Sequence, residues 1–293
     1  MSTINVDNVL PFTSGTEVVD VNGLKVKGNN PNSTVQIGGT SSVITSQSSV
    51  IVGYGSAPSV AGGQTVAIGR YAGLYLSSGS SNVLVGTSAG QNTSTGSANT
   101  FVGNNAGSFN SIGSSNVAIG SSAGGLLTEG ANNVFIGANS GSNSGNITGN
   151  GNILIGVGST PSSGSVSNEI TLGNNSINAL RCAQTSITSL SDARDKKDVT
   201  DLRAGLDFVK GLRPVEFVWD DREEHGKHDV ADFGFIAQDL KAAQEDAEMA
   251  DVLKLVYESN PEKLEASYGK LLPILVKAIQ ELAAEVEALK AKK

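Results

Sequence analysis

Short apolar runs that each end on a glycine recur along residues 34–181 at a nearly constant spacing. The closing glycines are separated by 15, 16, 17, 17, 17, 17, 19 and 17 residues; they are Gly38, Gly53, Gly69, Gly86, Gly103, Gly120, Gly137, Gly156 and Gly173. Similar segments at a fixed period are the signature of stacked structural repeats. The pattern therefore predicts a repeat architecture for this part of the chain.

Each repeat contains one segment that is typical of a β-strand. Segments 82–86 (NVLVG) and 133–137 (NVFIG) are rich in β-branched and apolar residues and lie between Gly, Ser and Asn turns. Alternation places Val83 and Val85 on one face of the strand. Four consecutive repeats carry two more glycines at offsets four and ten, and we expect both to adopt positive φ at sharp corners. The fold prediction is a mainly β shaft, either a β-solenoid or a trimeric β-helix or prism, with about 17 residues per unit.

Each repeat offers only two or three apolar side chains, so a single chain would bury a thin core. Self-association, most simply as a parallel homotrimer, would cover the sides that remain exposed. A disordered Gly/Ser/Asn linker is the alternative for this composition. A disordered segment has no need of apolar residues at fixed offsets, whereas these repeats keep Val, Ile, Leu or Phe at such offsets. We therefore expect an ordered shaft.

Residues from Ser191 onward have the composition of an ordinary α+β domain. Of the 36 glycines 31 precede Ser191, whereas 39 of the 48 charged residues follow Arg181. A helical pattern ends before Pro214, and an alternating strand pattern follows it. The last segment carries an a/d heptad seam made of Leu272, Leu275, Ile279, Leu282, Val286 and Leu289. This seam predicts a coiled coil over about 270–293, and a helix packed on its own domain is the alternative.

Charge and composition narrow the range of partners. The formal net charge of −8 disfavours binding to nucleic acid or to an anionic membrane. No run of about 18 apolar residues exists, and the first residues lack the features of a secretion signal. The single cysteine, Cys182, allows neither an intrachain disulfide nor a multi-thiolate metal site. We expect a protein without membrane insertion, made in a reducing compartment.

The repeats contain very few groups that could carry enzyme chemistry. Residues 34–181 have four charged side chains, Arg70, Glu129, Glu169 and Arg181. A glycosidase needs two carboxylates roughly 5–10 Å apart, whereas Glu129 and Glu169 are more than two repeats apart. We expect no metal and no cofactor. Exposed aromatic residues of the repeats could contact sugars, although packing is their commoner role.

Four short motifs in the last 100 residues resemble the endosialidase-type intramolecular chaperone domain at the C-terminus of bacteriophage tail fibres and tailspikes. They are 191–197 (SDARDKK), 212–219 (LRPVEFVW), 234–238 (GFIAQ) and 268–282 (YGKLLPILVKAIQEL). The resemblance implies a homotrimeric β-structured fibre whose C-terminal domain brings three chains into register. Residues 1–33 resemble virion-attachment segments of phage fibres, which implies other tail proteins as partners.

The resemblance also implies a possible self-cleavage by Ser191 and Lys196. A lysine acts as a general base only when desolvation or nearby cations favour its neutral form. Arg194 and Lys197 act in that direction, whereas Asp195 stands where the family usually has an apolar residue and favours the charged, inactive amine. Two alternatives stay open: the pair cleaves its own chain once, or both residues have a purely structural role.

The sequence thus predicts a virion-attachment segment (1–33), a shaft (34–181), a linker (182–190) and a chaperone domain (191–293). The leading hypothesis is a structural fibre of a phage virion, made in the host cytoplasm, that binds a host cell-surface receptor, most simply a glycan. A polysaccharide-degrading tailspike and a bacterial trimeric surface adhesin are the alternatives. The scarcity of acidic residues in the repeats argues against the first of these, and the missing secretion signal argues against the second.

Overall fold

The computed structural model describes residues 35–37, 49–58, 61–143, 145–177, 179–183, 187–220 and 229–292. The chain divides into two compact units, Met1–Asn174 and Asn175–Lys293. The predicted virion-attachment segment, 1–33, lies outside the described residues. The boundary between the units falls seven residues before the predicted end of the shaft.

The first unit is a β-solenoid of about seven turns with about 17 residues per turn. Its parallel strands follow one another in a single sheet in chain order, one strand per rung, as the repeat pattern predicts. The predicted fold class is confirmed. The strands are β1 (Val35–Ile37), β2 (Val50–Val52), β3 (Val66–Ile68), β4 (Val83–Val85), β5 (Thr100–Val102), β6 (Val117–Ile119), β7 (Val134–Ile136), β8 (Ile153–Ile155) and β9 (Ile170–Leu172).

The middle residue of each strand from β2 to β8 points into the solenoid. From β2 to β8 these residues are fully buried, and they are Ile51, Ala67, Leu84, Phe101, Ala118, Phe135 and Leu154. The flanking residues Val83 and Val85 of β4 share the opposite, outer face, where both are partly exposed. The two valines do lie on one face, as alternation predicts, but the residue between them supplies the core.

In three rungs the size of the buried strand residue is balanced by that of a second buried residue nine positions later. Ala118 on its strand is followed nine residues later by the buried Leu127, whereas Phe101 is followed at the same offset by the smaller, buried Asn110. Ala67 is likewise followed nine residues later by a buried leucine, Leu76. Because protein interiors are close-packed, this exchange makes the filled volume of these three rungs more similar. The β7 rung, in which Phe135 and Ile147 are both buried, does not follow it.

A ladder of buried asparagines runs beside the strands. Each asparagine oxygen accepts a hydrogen bond from the backbone N–H of the next ladder residue at 2.9–3.0 Å. Each side-chain amide donates to a backbone carbonyl at 2.8–2.9 Å. The ladder satisfies buried polar backbone groups that a one-strand rung would otherwise leave unpaired. Its members are Asn82, Asn99, Asn116, Asn133 and Asn152, and Glu169 ends it.

The three glycines of each repeat have different roles. The first two have positive φ, as Gly86 at +135° and Gly90 at +56° illustrate. The prediction of positive φ for the third glycine is wrong, because Gly96 and its equivalents lie outside that region. A Cβ atom on Gly96 would instead collide with the backbone carbonyl of Gly113 in the next rung. The third glycine is therefore needed for close rung-to-rung approach.

The second unit is a small mixed α/β domain with a long final helix. Its regular elements are α1 (Leu206–Lys210), β10 (Val215–Val218), β11 (Ala231–Gly234), α2 (Ala237–Asp246), α3 (Ala250–Leu253), β12 (Val256–Tyr257), β13 (Glu265–Ala266) and α4 (Leu271–Lys290). Strands β10 and β11 pair antiparallel, as do β12 and β13. A core that includes Leu240, Leu253, Leu255, Leu271 and Ile274 holds the elements together. No helix in the described part of the chain is long and apolar enough to cross a membrane.

Candidate functional site

Helix α4 carries two different apolar stripes. One stripe, formed by Leu271, Ile274 and Ala278, is buried against the rest of the second unit. The other stripe is the heptad seam, and its members remain 41–66% exposed: Leu272, Leu275, Ile279, Leu282, Val286 and Leu289. The residues that fasten α4 to its own domain are therefore separate from the seam. An exposed apolar stripe at heptad spacing is suited to pairing with another helix.

The orientation of α4 is fixed by a contact with α1. The Oε2 atom of Glu281 accepts a hydrogen bond from the backbone N–H of Leu206 at 2.6 Å. Lys277, one turn earlier on the helix, forms an ion pair with Glu281 at 3.5 Å. The hydrogen bond to Leu206 holds one side of the helix against the domain, whereas the ion pair with Lys277 lies within α4. The seam faces away from this contact.

Two polar contacts connect the motifs that carry the family resemblance. The Tyr268 hydroxyl accepts a hydrogen bond from the Phe235 N–H at 3.1 Å and lies 3.2 Å from the Phe235 carbonyl oxygen. Arg213 forms an ion pair with Asp239 at 2.6 Å. Asp239 directly follows motif 234–238, and Val215 of motif 212–219 pairs with Gly234 in the β10–β11 hairpin. Three motifs, at 212–219, 234–238 and 268–282, thus meet within one unit.

The apolar surface of the seam continues onto the β10–β11 hairpin. An open groove between the hairpin and α4 is lined by Pro214, Val215, Phe233, Phe235 and Leu275, among others. Phe233 is 80% exposed, a large fraction for an aromatic side chain on a strand. Contiguous exposed apolar surface of this kind marks interaction sites. The sequence did not single out Phe233, because an apolar run beside a strand gives no sign of which residue faces outward.

The two residues proposed for self-cleavage lie together. Lys196 Nζ is 2.6 Å from Ser191 Oγ and 3.1 Å from the Ser191 carbonyl oxygen. A short 3₁₀ helix, Ala193–Asp195, turns the chain so that the two side chains meet. This distance suits a nucleophile and its general base. Both residues are exposed to solvent in the single chain.

The charged neighbours of this pair are arranged differently from the expectation. Asp192 caps the 3₁₀ helix and forms an ion pair with Arg194 at 2.6 Å, and the hydrogen bonds from Arg194 lower the pKa of Asp192. The guanidinium of Arg194 is thereby engaged with Asp192. Asp195 and Lys196 are both described, and no ion pair joins them. The postulated effect of Asp195 on Lys196 stays a prediction.

The other candidate residues do not form a second site. Glu169 lies at the end of the asparagine ladder, where Ser162 donates to both of its carboxylate oxygens at 2.6 and 2.8 Å. Glu129 is exposed on an earlier rung. Within the described ranges no group of three or more His, Cys, Asp or Glu residues could hold a metal ion. The two histidines of the sequence, His225 and His228, lie outside the described residues.

One part of the chain matches a known protein family. Residues 191–249, about a fifth of the chain, match the family described as chaperone of endosialidase. The match begins at Ser191 and ends at Met249, one residue before α3, so α4 and its seam lie beyond it. The searches of curated proteins and of solved structures found no match. The match supports a phage-type chaperone domain in the C-terminal unit.

Proposed function

We propose that this protein is a fibre of a phage virion that assembles as a homotrimer through its C-terminal chaperone domain and binds a host-cell receptor. The observation that carries the proposal is the exposed heptad seam of α4, held outward by a separate buried stripe on the same helix. Three copies of the seam would bury it in a bundle. The family match at residues 191–249 supports the chaperone role.

The shaft has a physical need for such a chaperone. Its strands from β3 to β7 are spaced by the same 17 residues and have closely similar sequences. Chains with near-identical rungs can associate one rung out of phase, at little cost in contacts. A C-terminal bundle that joins the three chain ends first would exclude these slipped forms and lower the entropy cost of association.

The receptor-binding role rests on position and surface chemistry. Outside the β-strands, the rungs expose many Ser, Thr and Asn side chains, which can form hydrogen bonds with sugars. They also expose aromatic side chains such as Tyr75 and Phe109. If the C-terminal domain is retained in the virion, it is available to a receptor. Immunogold labelling of intact particles at the C-terminus tests this placement, and a virion without label contradicts it.

Deletion of residues 192–293 tests the chaperone role. The truncated chain should form aggregated or out-of-phase shafts, because the alignment step is lost. The matched control is the intact chain expressed and purified in parallel. Size-exclusion chromatography with light scattering distinguishes the outcomes. Soluble truncated trimers at the full yield of the intact chain would show that this domain is not needed for assembly.

A further inference from the structure

The outer face of the solenoid strands is apolar along the whole sheet. Two stripes run across β2 to β9, one from the first and one from the third residue of each strand, in the parallel register. All members except Thr100 are Val, Ile or Leu. The first stripe is Val50, Val66, Val83, Thr100, Val117, Val134, Ile153 and Ile170, and the second is Val52, Ile68, Val85, Val102, Ile119, Ile136, Ile155 and Leu172. We call these sixteen residues the sheet face.

Seven of the sixteen side chains of the sheet face are exposed in the single chain, and the other nine are half-buried. Ile68, Ile119, Ile136 and Ile155 are 37–42% exposed, and Leu172 is 56% exposed. A strand that has its core on one side and water on the other normally alternates apolar with polar residues. Here the core-facing residue and both of its outward neighbours are apolar, which is the pattern of strands covered on both faces.

Other outward positions of the same rungs follow the usual rule. The residue after the strand-closing glycine is also exposed in most rungs, and in five described rungs it is polar or charged: Arg70, Thr87, Asn104, Ser121 and Asn174. In three other rungs it is Tyr54, Ala138 or Val157. The composition of the sheet face is therefore a property of that side and not of the whole shaft. With strands about 4.8 Å apart, its eight rungs extend over roughly 35 Å. An exposed apolar surface of this length that carries no charge is typical of a site that contacts another protein.

From this we infer that the sheet face is the interface between shafts, and that its occupant is a second and a third copy of this chain. Each rung contributes two side chains to the sheet face, and none of the sixteen is charged. A partner that matches these side chains along the shaft therefore needs the same spacing between its own rungs. A parallel copy of the same solenoid has that spacing at every rung. The inference rests on the homotrimer proposed above and specifies which side of each shaft faces the other chains.

Chemical cross-linking in the intact protein tests the inference. Ile119→Cys on the sheet face is made in a Cys182→Ser background, and Glu129→Cys, an exposed position elsewhere on the same rung, is the matched control. Each variant is treated with a short homobifunctional maleimide and analysed by denaturing electrophoresis. A second pair, Ile136→Cys with Asn143→Cys, repeats the test one rung further along. Light scattering of each sample reports the oligomeric state before cross-linking.

The inference predicts trimers that yield covalent dimers in both sheet-face variants and none above background in the two controls. Trimers that are cross-linked only in the controls, or equally in all four variants, would overturn the inference and leave the homotrimer intact. Trimers with no cross-link in any variant would have the same meaning, because they would place the sheet faces apart. Monomers in all samples would overturn both the homotrimer and the interface.

Discussion

Glu281 on α4 accepts a hydrogen bond at 2.6 Å from the backbone N–H of Leu206, the first residue of α1. Gly205, which precedes α1, has no side chain to cap the helix. The carboxylate from the distant helix therefore satisfies one of the free N–H groups of α1. The same contact fixes which side of α4 faces the domain, and so keeps the heptad seam turned outward.

Removal of this contact should weaken the C-terminal unit. We expect Glu281→Ala to lower its free energy of unfolding by about 1–2 kcal/mol, as for loss of a helix cap. Glu281→Gln, the matched control, keeps an acceptor oxygen and should lose less than half as much. Chemical denaturation followed by circular dichroism gives both values. Equal losses for the two variants would show that the charge, and not the acceptor, is what matters.

The asparagine ladder should be essential to the shaft. Asn116→Ala removes the acceptor for the Asn133 N–H and a donor to the Gly130 carbonyl, and both groups are buried. Each buried group left unpaired costs about 1–3 kcal/mol, so a loss of about 2–6 kcal/mol is expected. The exposed Ser121→Ala is the control and should change little. Thermal unfolding of the shaft measures the difference, and similar melting of both variants contradicts this role.

The size balance within rungs makes a double-mutant prediction. Phe101→Ala should destabilise the shaft by about 3–5 kcal/mol, because it leaves a cavity. Adding Asn110→Leu should recover part of this loss, since Ala118 with Leu127 is the same combination in the next rung. Asn99 still donates to the Gly113 carbonyl after Asn110 is replaced. A double variant no more stable than Phe101→Ala alone would contradict the balance.

The Ser191–Lys196 pair leads to a prediction about processing. Lys196 Nζ lies 2.6 Å from Ser191 Oγ, and Asp195, the residue before Lys196, stands where the resembled family usually has an apolar residue. We expect the wild-type chain to remain whole on denaturing electrophoresis. Asp195→Leu, which removes the nearby carboxylate, should allow cleavage into products of about 190 and 100 residues. A wild type that is already cleaved, and that Ser191→Ala blocks, would contradict this expectation.

The repeat period made the solenoid predictable. The glycine spacing defined every rung, and the apolar triplets such as 83–85 defined every strand, because regular period and β-branched residues are local properties of the sequence. Local sequence could not show that Leu84 forms the core while Val83 and Val85 face outward, since all three are aliphatic. The role of Gly96 was missed for a similar reason, because its constraint comes from the carbonyl of a residue 17 positions later.

The candidate site in the C-terminal unit was predictable only in part. Heptad spacing identified the seam, and the family motifs identified Ser191 with Lys196. The partition of α4 into a buried stripe and an exposed one depends on tertiary contacts of Leu271 and Ile274 that no local pattern contains. The Glu281 contact with Leu206 joins residues 75 positions apart. Such contacts are set by packing, and sequence periodicity does not encode them.

Light scattering of the intact protein, compared with a variant that carries charges in the heptad seam, tests the central claim most directly. The wild-type chain should have a mass of about 90 kDa, three times the 29.9 kDa of one chain. Ile279→Glu with Leu282→Glu places two charges in the seam and should lower the mass toward that of one chain. Gln280→Glu with Ala284→Glu adds two glutamates to the same helix off the seam and should leave the trimer unchanged. A wild-type mass of one or two chains, or a seam variant that remains a trimer, would contradict assembly through α4.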